Sequence, residues 1–314
     1  GTEGSPTDLQ YQPIAAQSPS TIMVGGSYLT PSGDTYTPVA WGQGDLSYIA
    51  HNDKGDDESS GGGGGGSGGG YSLYEPQPAY QARSSYVQQN VSRFPAAALG
   101  MRLGPDLAME SKPGIEVLSY DPSTDPPSYV WSQDGSGNAD PIGGTSLAAP
   151  TFAGAMALVA EGRAAAGLPA LSSIDALNFI YQAPRSDFID ITQGNTGYAA
   201  LNGFDLASGL GSPTSGLWRD LIHASYSTTA TLSALPSTLL AGQSAMLSAT
   251  IDASLATPTG TVTFLDNGRV LGTVPLNGEG IASLPFTPSE LGTQHLSVVY
   301  NGGGLFSGSV GETS

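Results

Sequence analysis

The sequence predicts an α/β domain followed by a separate all-β sandwich. Three observations carry this. SLAAPTFAGAMALVAEGRAAAG (146–167) is apolar or small almost all the way round, so it reads as a buried helix. Short apolar runs broken by Gly and Pro flank it, as strands and turns would be. From about residue 226 the composition changes, and Thr, Ser, Val and Leu alternate at period two between Gly/Pro turns.

The chain's 314 residues suit one large domain and one small one. Apolar residues make up 39%, enough for a packed core, and only 11% are charged. The 45 Gly and 23 Pro residues argue for many turns. With 27 acidic and 9 basic residues the net charge is −18, which argues against a nucleic-acid partner because phosphate contacts need basic patches. An anionic membrane surface is disfavoured for the same reason, and no apolar run is long enough for membrane insertion. Without cysteine there is no disulfide, thiolate metal site or thiol nucleophile. Self-repulsion fades towards the pI of about 4.1, which permits work in acid. The chain starts at Gly1 without Met or signal peptide, as a processed product or excised fragment would.

In order along the chain, STIMVGGSYL (20–29) reads as a buried strand, a Gly-Gly break and a second strand. Residues 34–58 read as a polar loop, with Asp53, Asp56, Asp57 and Glu58 as a solvated acidic cluster. Residues 59–66 read as a flexible glycine linker. VLSYDPSTDPPSYVWSQDGSGN (117–138) holds two short β-like pieces around Pro turns. In helix 146–167, Pro150 falls in the first turn, where its missing N–H matters little. A second helix spans 172–182, with Ser172 and Asp175 as a capping pair. Beyond 226, Asp266, Asn267 and Gly268 give a hairpin signal and LGTQHLSVVYNGG (291–303) a further strand. The expected division is 1–226 and 227–314.

Ser146, in GGTSLAAP (143–150), has two readings. Serine is a preferred helix N-cap, its hydroxyl accepting a backbone N–H. Equally, a serine at the head of a buried helix sits on rigid backbone where the dipole favours negative charge. Gly143 and Gly144 let a substrate backbone approach, and Ala148 and Ala149 leave room around the hydroxyl. Those are the needs of an attacking oxygen.

GGTSLAAPTFAG (143–154) resembles the serine segment of two related peptidase families, the subtilisins and the sedolisins or serine-carboxyl peptidases. Subtilisins use a histidine base. His223 and His295 follow Ser146, and His51, in YIAHNDKG, lacks the subtilisin His-Gly-Thr helix start. The sedolisin resemblance is broader. It takes in the Trp of AWGQGDL, the Ser-Gly-Gly-Gly-x-Ser and Pro-x-Tyr-Gln of SGGGYSLYEPQPAYQ, and the Pro-Asp-x-x-Ala strand in LGPDLAME. It continues through DFIDITQGNTG and NGFDLASGLGSP, in the family's order over roughly 10–222. Residues 227–314 resemble the immunoglobulin-like repeats of bacterial secreted and surface proteins.

The resemblance implies a subtilisin-like three-layer α/β core, missing its N-terminal part, plus an immunoglobulin-like sandwich. It implies an acid-acting, secreted bacterial endopeptidase on protein or peptide substrates, with Ser146 as nucleophile. Ser67, Gly68, Gly69 and Gly70 would be the strand that pairs with substrate, glycine leaving room for the added peptide. Asp190, Ile191, Leu201, Gly203 and Asp205 match the calcium ligands, two carboxylates and three carbonyls that suit hard Ca²⁺. Leu201 stands where the family usually has Gly.

Sedolisins also need a Glu and an Asp four apart on a helix, and an Asp in a Ser-Gly-Asp segment that assists the oxyanion. All three precede the strand matched by SPSTIMVGGSYL (18–29). Before it this chain offers only Glu3 and Asp8, five apart and not in helical sequence. Ser32-Gly33-Asp34 spells the third motif but follows the strand. The missing carboxylates are therefore expected upstream, on a fragment or propeptide of the same precursor, and the chain alone is expected to be catalytically incomplete. Two non-catalytic alternatives are an adhesion or scaffold protein with a degenerate peptidase core and a carbohydrate-binding role for 227–314. A third is a subtilisin-like peptidase using His51.

Overall fold

The computed structural model describes residues 18–33, 35–42, 67–112, 114–123, 126–131 and 141–313. Glu3, Asp8, Asp34, His51, the 53–58 acidic cluster and the 59–66 linker lie outside them. The chain divides into two compact units, Gly1–Gly162 with Leu171–Ile222 and Arg163–Ala170 with His223–Ser314. No helix of the described residues is long and apolar enough to cross a membrane.

The first unit mixes helix and sheet. β1 (Val24–Ser32) lies between β2 (Thr35–Ala40), antiparallel, and β5 (Leu107–Lys112), parallel. β1 runs straight through Gly25-Gly26, where the sequence suggested a break. The two glycines are needed for space: Pro105 and Ser67 crowd the first, and Trp41 and Ser111 the second. β2 falls inside the expected polar loop; its first three residues are exposed and only Pro38, Val39 and Ala40 are buried, so it carries little strand patterning.

β3 (Gly70–Pro76) pairs with β4 (Met101–Gly104). The short helices α1 (Ala79–Ala82) and α2 (Ser85–Gln88) join them. The predicted β-like pieces are β6 (Leu118–Asp121) and β7 (Ser128–Trp131), an antiparallel ribbon. Register puts Leu118 opposite Trp131 and Tyr120 opposite Tyr129, so all four share one face. That face is open to solvent, Tyr129 being 68% exposed, with the two tyrosine rings 5.4 Å apart.

Helix α3 (Thr145–Ala165) matches the predicted span within two residues, but it is not buried all round. Leu147, Ala148, Phe152 and Val159 form the buried stripe, while Ala149, Ala153, Gly154, Ala157 and Leu158 are exposed. α4 (Ser173–Ile180) starts with the predicted capping pair: Ser172 Oγ accepts the Asp175 N–H at 3.1 Å, and Asp175 accepts the Ser172 N–H at 3.3 Å. Ser172→Ala is expected to remove about 1 kcal/mol of stability, read as a lower denaturant midpoint with unchanged slope. β8 (Phe188–Ile189) pairs with β9 (Ser212–Pro213), and α5 (Ser215–His223) follows. Leu103, Leu107, Phe152, Leu177, Ile180, Phe204 and Leu217 meet in one core.

Beneath that core lies a buried charge network. Arg102 grips both oxygens of Asp106, at 2.8 and 2.7 Å. Asp106 also accepts the Met23 N–H at 2.7 Å and the Tyr181 hydroxyl at 2.7 Å. Burial, reinforced by the Asp106 carboxylate, holds the Tyr181 phenol well above its usual pKa, so it stays a donor.

In the second unit β10 (Thr228–Leu235), β11 (Ala245–Ala253) and β14 (Ile281–Phe286) form one sheet. β13 (Arg269–Pro275), β12 (Thr261–Asp266), β15 (Leu296–Tyr300) and β16 (Ser309–Thr313) form the other. Leu247, Ile251, Val262, Phe264, Val298 and Tyr300 fill the space between. The predicted hairpin is present: Asp266 pairs with Arg269, and Asn267 and Gly268 both have positive φ, as a primed two-residue turn requires.

Candidate active site

Ser146 is the second residue of α3, not its cap. The Gly144 carbonyl starts the helix by accepting the Leu147 and Ala148 N–H groups at 2.9 and 3.2 Å. Ser146 is exposed, and neither its hydroxyl nor its backbone N–H bonds any described residue. The segment before it is fixed by an isolated bridge between Ile115 and Ile142, with paired backbone bonds of 3.0 and 2.8 Å. Gly144, at φ +76°, then turns the chain and donates its N–H to Ser111 O at 2.7 Å.

The other side of this turn is Trp41. A Cβ on Gly144 would lie 3.1 Å from Trp41 Cη2, and one on Gly26 2.9 Å from Cε3, so the indole fits between β1 and the serine loop only because both are glycine. The Trp41 N–H donates to Gly26 O at 3.1 Å. Its carbonyl accepts the Ser67 N–H at 2.7 Å.

Ser67 thus opens the glycine run tied to Trp41, and its Oγ accepts the Gly26 N–H at 2.9 Å. Ser67, Gly69 and Gly70 are buried and Gly68 is half-buried. Gly69 packs directly under the Leu206 carbonyl, and Gly70 begins β3 opposite Gly104. The backbone groups of Gly68 and Gly69 bond no described residue.

The structure brings together the five residues matched to calcium ligands. Asp190 Oδ2 accepts the Gly203 N–H at 2.9 Å, while Oδ1 pairs with Arg185. Asp205 Oδ2 accepts the Leu201 N–H at 2.6 Å, and Oδ1 accepts those of Ala207 and Ser208 at 2.9 and 2.8 Å. Asp205 is only 3% exposed and pairs with no cation among the described residues. Burial raises its pKa, opposed by those N–H groups. The carbonyls of Ile191, Leu201 and Gly203 accept no hydrogen bond from described residues. No three acidic or His side chains converge among the described residues, so a cation here would depend on those carbonyls. Among the described residues, a buried carboxylate without a cationic partner and three carbonyls without a donor are a donor set that suits a hard cation. Arg185 already neutralises Asp190 in part.

Sequence reasoning isolated Ser146 and both loops. It quoted Trp41 without a role and missed Ser111 and Gly26, whose contacts exist only once β1, β5 and the serine loop are brought together.

Residues 222–314 match the family model described as bacterial Ig-like domain (group 3). The chain is 32% identical over 214 residues to xanthomonalisin of Xanthomonas sp. (strain T-22), covering 65% of this chain and 22% of that protein. It is 30% identical over 202 residues to sedolisin of Pseudomonas sp. (strain 101), covering 63% and 27%. With kumamolisin of Bacillus sp. (strain MN-32) it shares 31% over 223 residues, covering 68% and 32%. These sedolisin-family homologues are much longer, and the chain spans between about a fifth and a third of their lengths. No solved structure matches the chain.

Proposed function

We propose that the first unit is part of a serine-carboxyl endopeptidase with Ser146 as nucleophile. The observation that carries this reading is the exposed Ser146 at the head of α3, its hydroxyl and N–H unpaired among the described residues, in a chain homologous to sedolisins. Ser146 Oγ attacks the scissile carbonyl, and its proton passes to a carboxylate base. The Ser146 N–H and a protonated Asp hold the oxyanion. Collapse expels the amine and leaves an acyl-enzyme, which water hydrolyses to release the acid and regenerate Ser146. At pH about 4 an ordinary carboxylate still accepts a proton, whereas a histidine is already protonated. The base and the oxyanion acid come from upstream in a longer protein; the match covers only 22–32% of the relatives' lengths. The exposed apolar face of α3 supports a further layer packing there, to complete a subtilisin-like three-layer core. Substrates are proteins or peptides, met at the Ser67–Gly70 run through the backbone of Gly68 and Gly69, which bonds no described residue. The Ig-like unit is a spacer or surface-binding module of a secreted bacterial protein.

Calcium would be held by the carboxylates of Asp190 and Asp205 and the carbonyls of Ile191, Leu201 and Gly203. Its contribution there is structural: it neutralises a buried carboxylate and fixes the loop. A chelator is expected to lower the melting temperature of this chain, and to do nothing to an Asp190→Ala/Asp205→Ala variant. Equal melts with and without chelator in the parent would remove calcium from the reading.

The test is peptide cleavage at pH about 4. The 314-residue chain, a protein extended upstream to include the missing carboxylates, and its Ser146→Ala variant are compared. Cleavage is expected in the extended protein alone, falling at least about 10³-fold on Ser146→Ala. Cleavage that survives Ser146→Ala overturns the assignment. Cleavage by the short chain would place the base within it, and loss on His51→Ala would then favour a subtilisin-like mechanism.

A further inference from the structure

Trp41 touches β1, the glycine run and the serine turn. Its N–H holds β1 through Gly26 O, and its carbonyl holds the glycine run through the Ser67 N–H. Its ring edge lies against Gly144, whose carbonyl starts the Ser146 helix. The backbone of Trp41 is therefore pinned on one side while its ring supports the serine turn on the other. Gly144 itself is held from the far side by Ser111 O, leaving the turn between a strand end and the indole.

We infer that Trp41 is a positioning residue that couples a peptide bound at the Ser67–Gly70 run to the placement of Ser146. The inference rests on the peptidase reading above, which supplies the bound peptide. A strand added along Gly68 and Gly69 restrains Ser67, and through it the Trp41 carbonyl. The indole is rigid and lies so close to Gly144 that a Cβ there would sit 3.1 Å from the ring, so restraint of the one backbone is passed to the other. Packed contacts of this kind carry coupling between sites when they join them without a gap. Among the described residues the Trp41 backbone bonds to Gly26 and Ser67 and the ring contacts at Gly26 and Gly144 join these segments, and the ring contacts can be removed without altering the backbone.

The experiment uses the 314-residue chain carrying Ser146→Ala, to prevent turnover, and a capped octapeptide of alternating leucine and serine. Peptide binding is measured directly, and amide hydrogen exchange is followed at Gly144, Leu147 and Ala148, the N–H groups that define the serine turn. Saturating peptide is expected to slow exchange there at least about fivefold. In Trp41→Ala the peptide still binds, and the slowing falls below about twofold. Trp41→Phe, which keeps an aromatic ring, recovers part of it. A merely structural Trp41 would change exchange in the free protein but leave the peptide-induced difference intact. That result, undiminished protection in Trp41→Ala, overturns the inference, as does peptide that fails to bind or binds without slowing exchange in the Trp41 protein. If Trp41→Ala does not fold, Trp41→Phe and Trp41→Leu carry the comparison, and equal protection in both overturns it. Ser146-independent cleavage by the extended protein would sink the peptidase reading without changing these exchange rates, so the two failures are separate.

Discussion

Asp106→Ala is expected to unfold the α/β unit or to weaken it by about 3–5 kcal/mol, the usual effect of removing one partner of a buried ion pair. Asp106 is fully buried and Arg102 is 1% exposed, so the remaining guanidinium would have no water to solvate it. The loss spreads further, because Asp106 also accepts the Met23 N–H at the entry to β1 and the Tyr181 hydroxyl after α4. A domain's stability is typically about 5–15 kcal/mol, so this one change removes much of it. Asp106→Asn keeps the shape but strands the same charge, and is expected to be nearly as damaging. Arg102→Met/Asp106→Leu removes both charges together and should recover part of the loss. Denaturant titration with separate probes for the two units checks this. The Ig-like transition stays in place as an internal control, while the first transition moves. An unmoved first transition in Asp106→Ala would mean that the pair contributes nothing.

Gly69→Ala is expected to cost about 3 kcal/mol, at the upper end for overpacking. A Cβ there would overlap the Leu206 carbonyl oxygen and lie 2.9 Å from its carbon, with Thr196 Oγ1 at 3.1 Å. The obstacle is backbone, so no rotamer change relieves it; the glycine run must lift away from the 205–208 turn. Peptide binding should fall with stability, because lifting the run also pulls Ser67 from Trp41. Gly154→Ala, on the open face of α3 with nothing within 4 Å, is the contrast: it should stabilise by roughly 0.5–1 kcal/mol. Equal melts for Gly69→Ala and the parent would show that the run is looser than its contacts imply.

Features written in local chemistry were legible in the sequence. The Ser172–Asp175 capping box and the Asn267-Gly268 turn need only neighbouring residues, and both are present as read. Helix α3 was legible in extent because its small and apolar residues run without a proline beyond the first turn, yet its burial was not. Periodicity cannot say whether a second layer covers a face. Gly25-Gly26 misled for a related reason: glycine in a strand can mark a break or a close approach, and here Trp41 and Ser111 make it the second. Ser146 stood out because its flanking residues are small and its motif is contiguous. Trp41 did not, since it meets Gly26 in β1 and Gly144 over a hundred positions on.

The β6–β7 ribbon has a consequence for the molecule in bulk. At neutral pH a net charge of −18 keeps copies apart and the exposed Leu118, Tyr120, Tyr129 and Trp131 are harmless. Near pH 4 that charge is almost gone, since the pI is about 4.1, while the aromatic face is unchanged. The chain by itself is therefore colloidally weakest in the same acid range in which its proposed chemistry would run. High concentration and low pH together should drive it into self-association through the ribbon.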